Sequence, residues 1–149
     1  MISSDKKAAL GLLALRLSIA TTFLYHGWTK LMFWTAAPAG APAWMVWLMR
    51  FLFVIEIIGG IALVVGFLTR WAALGFSLIM LGAIYFKIAG LFGAVVPYSS
   101  GNTTGWEFDL VILGGCLALA GVGAGCLALD CKLCRGKMTG KTGSIKPAL

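Results

Sequence analysis

Apolar residues run almost unbroken through four stretches, about 8–34, 44–68, 71–92 and 107–129. Each is long enough to cross a bilayer at roughly 20 residues per helical crossing. The breaks between them differ in kind. The first, Ala36 to Ala43, contains Pro38 and Pro42, which end a helix because proline lacks a backbone donor and disfavours helix at the preceding residue. The second is only Thr69-Arg70, which predicts a tight hairpin between spans two and three. The third, VVPYSSGNTTG, is polar and rich in turn formers. The pattern predicts an all-α integral membrane four-helix bundle with short loops, preceded by residues 1–7 and followed by a tail over 131–149.

Small residues recur at helical spacing within the spans. Gly59, Gly60 and Leu63 share a face with Glu56, and Gly75, Gly82 and Ala89 repeat every seven residues. Gly114, Ala118, Gly121 and Gly125 share a face with Glu107. Such seams let helix backbones approach closely in a membrane. The GVGAG run, Gly121 to Gly125, is read as part of the fourth helix. It is not a dinucleotide loop, because no strand–turn–helix context surrounds it.

Composition sharpens the class. Of 149 residues, 60% are hydrophobic and 11% charged, against roughly 25% charged in an ordinary soluble domain. The mean hydropathy is +0.97. The net charge of +7 does not mark a nucleic-acid binder, because the cations sit where membrane proteins keep them. Lys6 and Lys7 precede the first span, Arg70 lies in the hairpin, and Lys132, Arg135, Lys137, Lys141 and Lys146 form the tail. The loops over 35–43 and 94–106 contain no Lys or Arg. The positive-inside rule then places both termini in the cytoplasm, N-in/C-in. A signal peptide is disfavoured, since the first apolar run exceeds the roughly 7–15 residues of a signal core and carries three basic residues.

Those three cations are the chemistry of the first span. Arg16, His26 and Lys30 fall within an arc of about 80° on a helix turning ~100° per residue, with Ile19 and Phe23 on the same seam. Ionisable groups at membrane depth face a bundle interior or a wet cavity. Glu56, near the middle of span two, is at a comparable depth to Arg16, and the expectation is a buried Arg16–Glu56 ion pair, structural or functional. His26 and Lys30 belong to an outer layer with Lys87, Glu107 and Asp109, a set able to form an outward-opening polar pocket. Arg50, also near this layer, is turned about 120° from Glu56 and is expected to snorkel to the headgroups. The pocket suits a quinone head group, to whose oxygens His and Lys donate, and equally a small anion or a ligand-free polar network.

The remaining chemistry is mostly subtractive. With one histidine, the chain cannot supply a bis-histidine haem. Cys131-Lys-Leu-Cys134 is followed by Arg135 rather than histidine, so it is no c-type haem attachment. Cys116 lies mid-span, leaving Cys126, Cys131 and Cys134, one thiolate short of an iron–sulfur set. No haem or iron–sulfur cluster is expected from this chain alone, and no resident metal. Cys131 and Cys134 stand among cations that favour the thiolate, so redox exchange, a metal shared across a dimer, lipidation and no fixed role are all open to them.

Taken in order, Arg16, His26-Gly27-x-x-Lys30, Glu56-x-x-Gly59-Gly60, Gly66-x-x-Thr69-Arg70 and Gly123-Ala124-Gly125 leading to Leu129-Asp130 resemble the DoxX family of small membrane proteins. The resemblance covers about 16–130. It implies a four-helix bundle in the bacterial cytoplasmic (inner) membrane and carries forward Arg16, His26, Lys30, Glu56 and Arg70. One branch, the DoxD-like proteins, is the membrane subunit of a thiosulfate:quinone oxidoreductase, and other members associate with soluble enzymes of redox stress. A full oxidoreductase would therefore need a partner subunit. Three functions compete: a quinone-linked redox subunit, a non-enzymatic scaffold or assembly subunit (including a homo-oligomer), and a conduit for protons or a small solute.

Overall fold

The computed structural model describes residues 4–90 and 105–130. Among them the fold is entirely helical. Helix α1 spans Ser4–Thr29, a single turn α2 follows at Met32–Thr35, and α3 covers Ala43–Val65. Helix α4 runs Thr69–Ile88 and α5 Trp106–Val122. Among the described residues three segments are long and apolar enough to cross a membrane: Lys6–Thr35, Ala43–Val65 and Thr69–Ile88. The 17 residues of α5 reach only about 25 Å at 1.5 Å per residue, against a hydrocarbon core of roughly 30 Å.

The distribution of side chains is that of a protein solvated by lipid. Arg16, Glu56, Thr69, Ser77 and Asp109 are buried, whereas Leu78, Ile58, Val111 and Trp71 are exposed. Exposed Tyr25, Trp28, Trp34, Trp44, Trp47 and Tyr85 cluster where α1 and α4 end and α3 begins. This is the aromatic belt that marks a membrane–water boundary.

The helices pack chiefly as two pairs, α1 against α3 and α4 against α5. Glycines decide how close they come. A Cβ on Gly60 would lie 2.7 Å from Leu24 Cγ of α1, and one on Gly59 would lie 2.7 Å from Phe76 Cζ of α4. The two adjacent glycines of α3 thus seat both neighbours. Phe76 stacks on Phe23 with ring centroids 3.6 Å apart, tying α4 to α1 across the core. Gly27 brings α1 against Glu56 and Ile57, where an added Cβ would lie 3.2 Å from Glu56 Cβ.

Several boundaries differ from the sequence expectation. The first span is not one helix: it breaks at Lys30-Leu31, where 3₁₀-type bonds such as Lys30 N to Gly27 O replace the α pattern. The fourth helix ends at Val122 rather than near Leu129. Gly123 takes φ +88° and Gly125 φ +73°, left-handed values natural to glycine, so the GVGAG run leaves the helix after its first two residues. Among the described residues the Gly75–Gly82 seam receives no helix: a Cβ on either would meet no atom within 4 Å. The same holds for Gly114 and Gly121 of α5. The 94–104 loop and the tail with Cys131 and Cys134 lie outside the described residues.

Candidate functional site

Five ionisable side chains converge on one cavity. It measures about 480 Å³ and draws its walls from all four long helices. His26 and Lys30 come from α1 and the turn after it, Glu56 from α3, Lys87 from α4 and Asp109 from α5. Most other lining residues are apolar, among them Phe23, Met49, Leu52, Met80, Phe86 and Ile112.

Each charge is placed by local structure. Lys30 follows the last turn of α1, and its ammonium folds back to donate to His26 O at 3.1 Å and to Glu56 Oε2 at 2.7 Å. A cation at a helix C-terminus meets carbonyls that lack helical partners, and here the same ammonium also neutralises a carboxylate only 3% exposed. Lys87 sits in the last turn of α4 and Asp109 in the first turn of α5, so each complements its helix dipole. Their Nζ and Oδ2 are 2.7 Å apart, and Lys87 also donates to Gly105 O at 3.3 Å. The cavity therefore carries one lysine–carboxylate pair from α1/α3 and another from α4/α5. His26 lies on the same wall as Lys30, its ring edge-on to Tyr25, and its imidazole makes no hydrogen bond among the described residues.

The Arg16–Glu56 pair expected from sequence is not formed. Glu56 belongs to Lys30, and Arg16 serves a different layer. Its Nη1 donates to Ala124 O at 3.0 Å, and its Nη2 reaches Leu127 O at 3.4 Å and Val64 O at 3.5 Å. Equal depth on two helices was the basis of the expected pair. The long lysine stem, folding back from the helix end, reached Glu56 instead. The guanidinium, fully buried, satisfies carbonyls at the end of α3 and in the irregular segment after α5.

That second layer closes the α3–α4 hairpin. Gly66, at φ +74°, ends α3, and an added Cβ there would strike Arg16 Nη1 at 2.7 Å. Asp130 lies across the hairpin: its carboxylate accepts from Leu68 N at 2.9 Å and Thr69 N at 3.0 Å, and its own N–H donates to Gly66 O. It caps α4 from 61 residues away in sequence, where no side chain of the hairpin does so. Arg70 reaches Val122 O at 3.5 Å. The sequence marks Asp130 only as the end of the family pattern; its role as the cap of α4 comes from the fold.

The other candidates fall outside the cavity. Glu107 is in the first turn of α5 but not among the lining residues. Arg50 does not simply snorkel: its guanidinium lies 5.4 Å from the Trp34 ring and 5.2 Å from the Trp47 ring, and Nε donates to Phe33 O at 2.9 Å. It pins α2 to α3 within the aromatic belt. Cys116 is buried in the core and Cys126 is exposed. No group of three or more His, Cys, Asp or Glu side chains suited to a metal occurs among the described residues.

The DoxX family profile matches residues 11–89. The chain belongs to the DoxX family. No curated protein and no solved structure matches it. With its apolar helices, this DoxX chain is a multi-pass membrane protein embedded in a lipid bilayer. The DoxX match takes in most of α1 and all of α2 to α4, and with them Arg16, His26, Lys30, Glu56, Arg70 and Lys87. Asp109 and Asp130, which complete the cavity and the hairpin lock, lie beyond the matched residues.

Proposed function

We propose that this DoxX-family chain is the membrane subunit of a quinone-linked redox system, and that the cavity between its two helix pairs receives the quinone head group. The observation that carries the reading is the convergence of Lys30–Glu56, Lys87–Asp109 and His26 on one largely apolar space between the helices. Its 480 Å³ falls in the roughly 300–1,000 Å³ range of small-molecule sites, which are apolar with a few convergent polar groups.

A quinone supplies two-electron, two-proton chemistry when bound. The residues here supply its complement. Lys30, Lys87 and His26 offer donors to carbonyl oxygens, and Glu56 and Asp109 keep the site near neutral and hold the lysines in place. The imidazole, uncommitted to any described partner, is the group best placed to exchange a proton with a ligand. In this reading electrons enter from a partner subunit or a sulfur compound.

In this reading α5 and the segment after it complete a fourth crossing, with both termini cytoplasmic in a bacterial inner membrane. A second reading, as an assembly subunit or homo-oligomer, draws on Gly114 and Gly121, which face open space on α5. Extraction of the purified protein followed by identification of bound small molecules tests the first reading. A retained quinone that is lost from the His26→Ala and Lys30→Ala variants supports it. Equal quinone content in wild type and both variants overturns it.

A further inference from the structure

The cavity has an apolar side opening, and its frame is specific. Two contacts between helices α3 and α4 frame it beyond their hairpin. At the outer end the rings of Trp44 and Phe86 stack with centroids 6.5 Å apart, and at the inner end Gly59 receives Phe76. On α3 these contacts are 15 residues apart, about 22 Å, and on α4 they are 10 residues apart, about 15 Å, at 1.5 Å per residue.

Between them the flanks that face each other carry Leu48 and Leu52 on α3, and Leu78 and Gly82 on α4. At ~100° per residue, Leu48 and Leu52 share the face of α3 bearing Trp44 and Gly59, and Gly82 lies on the Phe86 side of α4, with Leu78 at its outer edge. All four line the cavity. Leu78 is nonetheless 71% exposed, so the cavity wall at this point is also the outer surface of the helix. A Cβ on Gly82 would meet nothing within 4 Å among the described residues. The space between the two framing contacts is thus open, apolar and directed sideways into the bilayer, while the charged groups lie at its inner wall.

We infer that this window between α3 and α4 is the route by which the ligand of the cavity arrives, and that the ligand is a bilayer-dissolved amphiphile. Its polar head lies against Lys30, Lys87 and His26, and its apolar tail lies in the window across Gly82 and Leu78. The inference rests on the quinone reading for the nature of the head group, but the window itself is argued from α3 and α4 alone. A water-borne anion has no use for an apolar side opening. A long-tailed quinone and a phospholipid chain share the chemistry that does.

The experiment fills the window without touching the charged wall. Gly82→Trp adds a ring where no described residue stands within 4 Å of the glycine's Cβ position. Binding of a decyl-tailed benzoquinone and of the same ring without a tail is measured for wild type and variant in detergent. In parallel, wild type and variant are reconstituted with a phospholipid bearing a photoactivatable acyl chain, and the labelled residues are mapped. The expected result is a loss of about tenfold or more for the tailed quinone with less than about twofold for the tailless one, and labelling at residues 48, 52 and 78 that falls in the variant. Equal loss for both quinones, or no loss for either, overturns the window as the tail's path. If wild type binds neither quinone but the acyl label maps to the window, the quinone reading fails and lateral access by a lipid chain stands. If wild type binds neither quinone and the label is absent from the window, both fall.

Discussion

Lys30 and Glu56, 26 residues apart in sequence, are joined by a 2.7 Å contact between Nζ and Oε2 inside the helix assembly. The pair locks the end of α1 to the middle of α3 and fixes one wall of the cavity. Removing the lysine leaves a carboxylate that is 3% exposed without its counter-ion. Loss of one partner of a buried pair costs about 3–5 kcal/mol, whereas neutralising both together costs far less. Lys30→Met is therefore expected to lower the unfolding midpoint in detergent sharply, and Glu56→Gln added to it to recover most of the loss, with Glu56→Gln alone completing the cycle. Additive effects in this cycle would mean the contact contributes no coupling.

His26 should behave oppositely. Its ring shares the cavity wall but makes no hydrogen bond among the described residues, so His26→Ala removes no bond of the fold. The expected outcome is a midpoint close to wild type with quinone binding weakened by about tenfold, one good hydrogen bond's worth of roughly 1.5 kcal/mol. A variant that unfolds early yet binds normally would make His26 a structural residue.

The layer at the α3–α4 hairpin gives a second stability test. Asp130 accepts two backbone N–H groups at the start of α4, next to Leu68 at φ +50°, a left-handed conformation costly for a leucine. Asp130→Ala is expected to destabilise by about 2–3 kcal/mol, combining a lost cap with a second orphaned donor. Asp130→Asn, which keeps one carbonyl acceptor, should fall between. Hydrogen exchange at Leu68 and Thr69 reports the loss locally, and unchanged protection there would contradict the capping role.

The sequence made the membrane class legible because lipid solvation needs long apolar runs, and it made His26, Lys30 and Glu56 conspicuous because charges in such runs are rare. It could not assign partners. Arg16 and Lys30 share a seam, and Glu56 is within helical reach of either. The choice was made by Lys30 turning back at the break after Thr29, a tertiary event with no periodic signal. The end of α5 was hidden for a related reason. Gly123 and Gly125 look like more of the small-residue pattern that precedes them, and only their positive φ values distinguish them. Asp130 was invisible as a cap because its helix begins 61 residues earlier.

The glycines separate packing inside the chain from packing outside it. Gly59 and Gly60 seat Phe76 and Leu24, and an added Cβ would stand 2.7 Å from ring or branch carbon. Gly60→Ala is therefore expected to destabilise the monomer by about 1–3 kcal/mol through overpacking. Gly114 and Gly121 point into open space, so Gly114→Ala should instead stabilise an isolated chain by up to about 1 kcal/mol through helix propensity. The larger Gly114→Leu then decides what that face is for. If α5 packs against a second copy or another membrane subunit, Gly114→Leu abolishes the complex on size exclusion or co-purification while the monomer keeps its unfolding midpoint and its quinone. If the face meets only lipid, the added leucine leaves association, stability and binding unchanged, and the assembly reading loses its support.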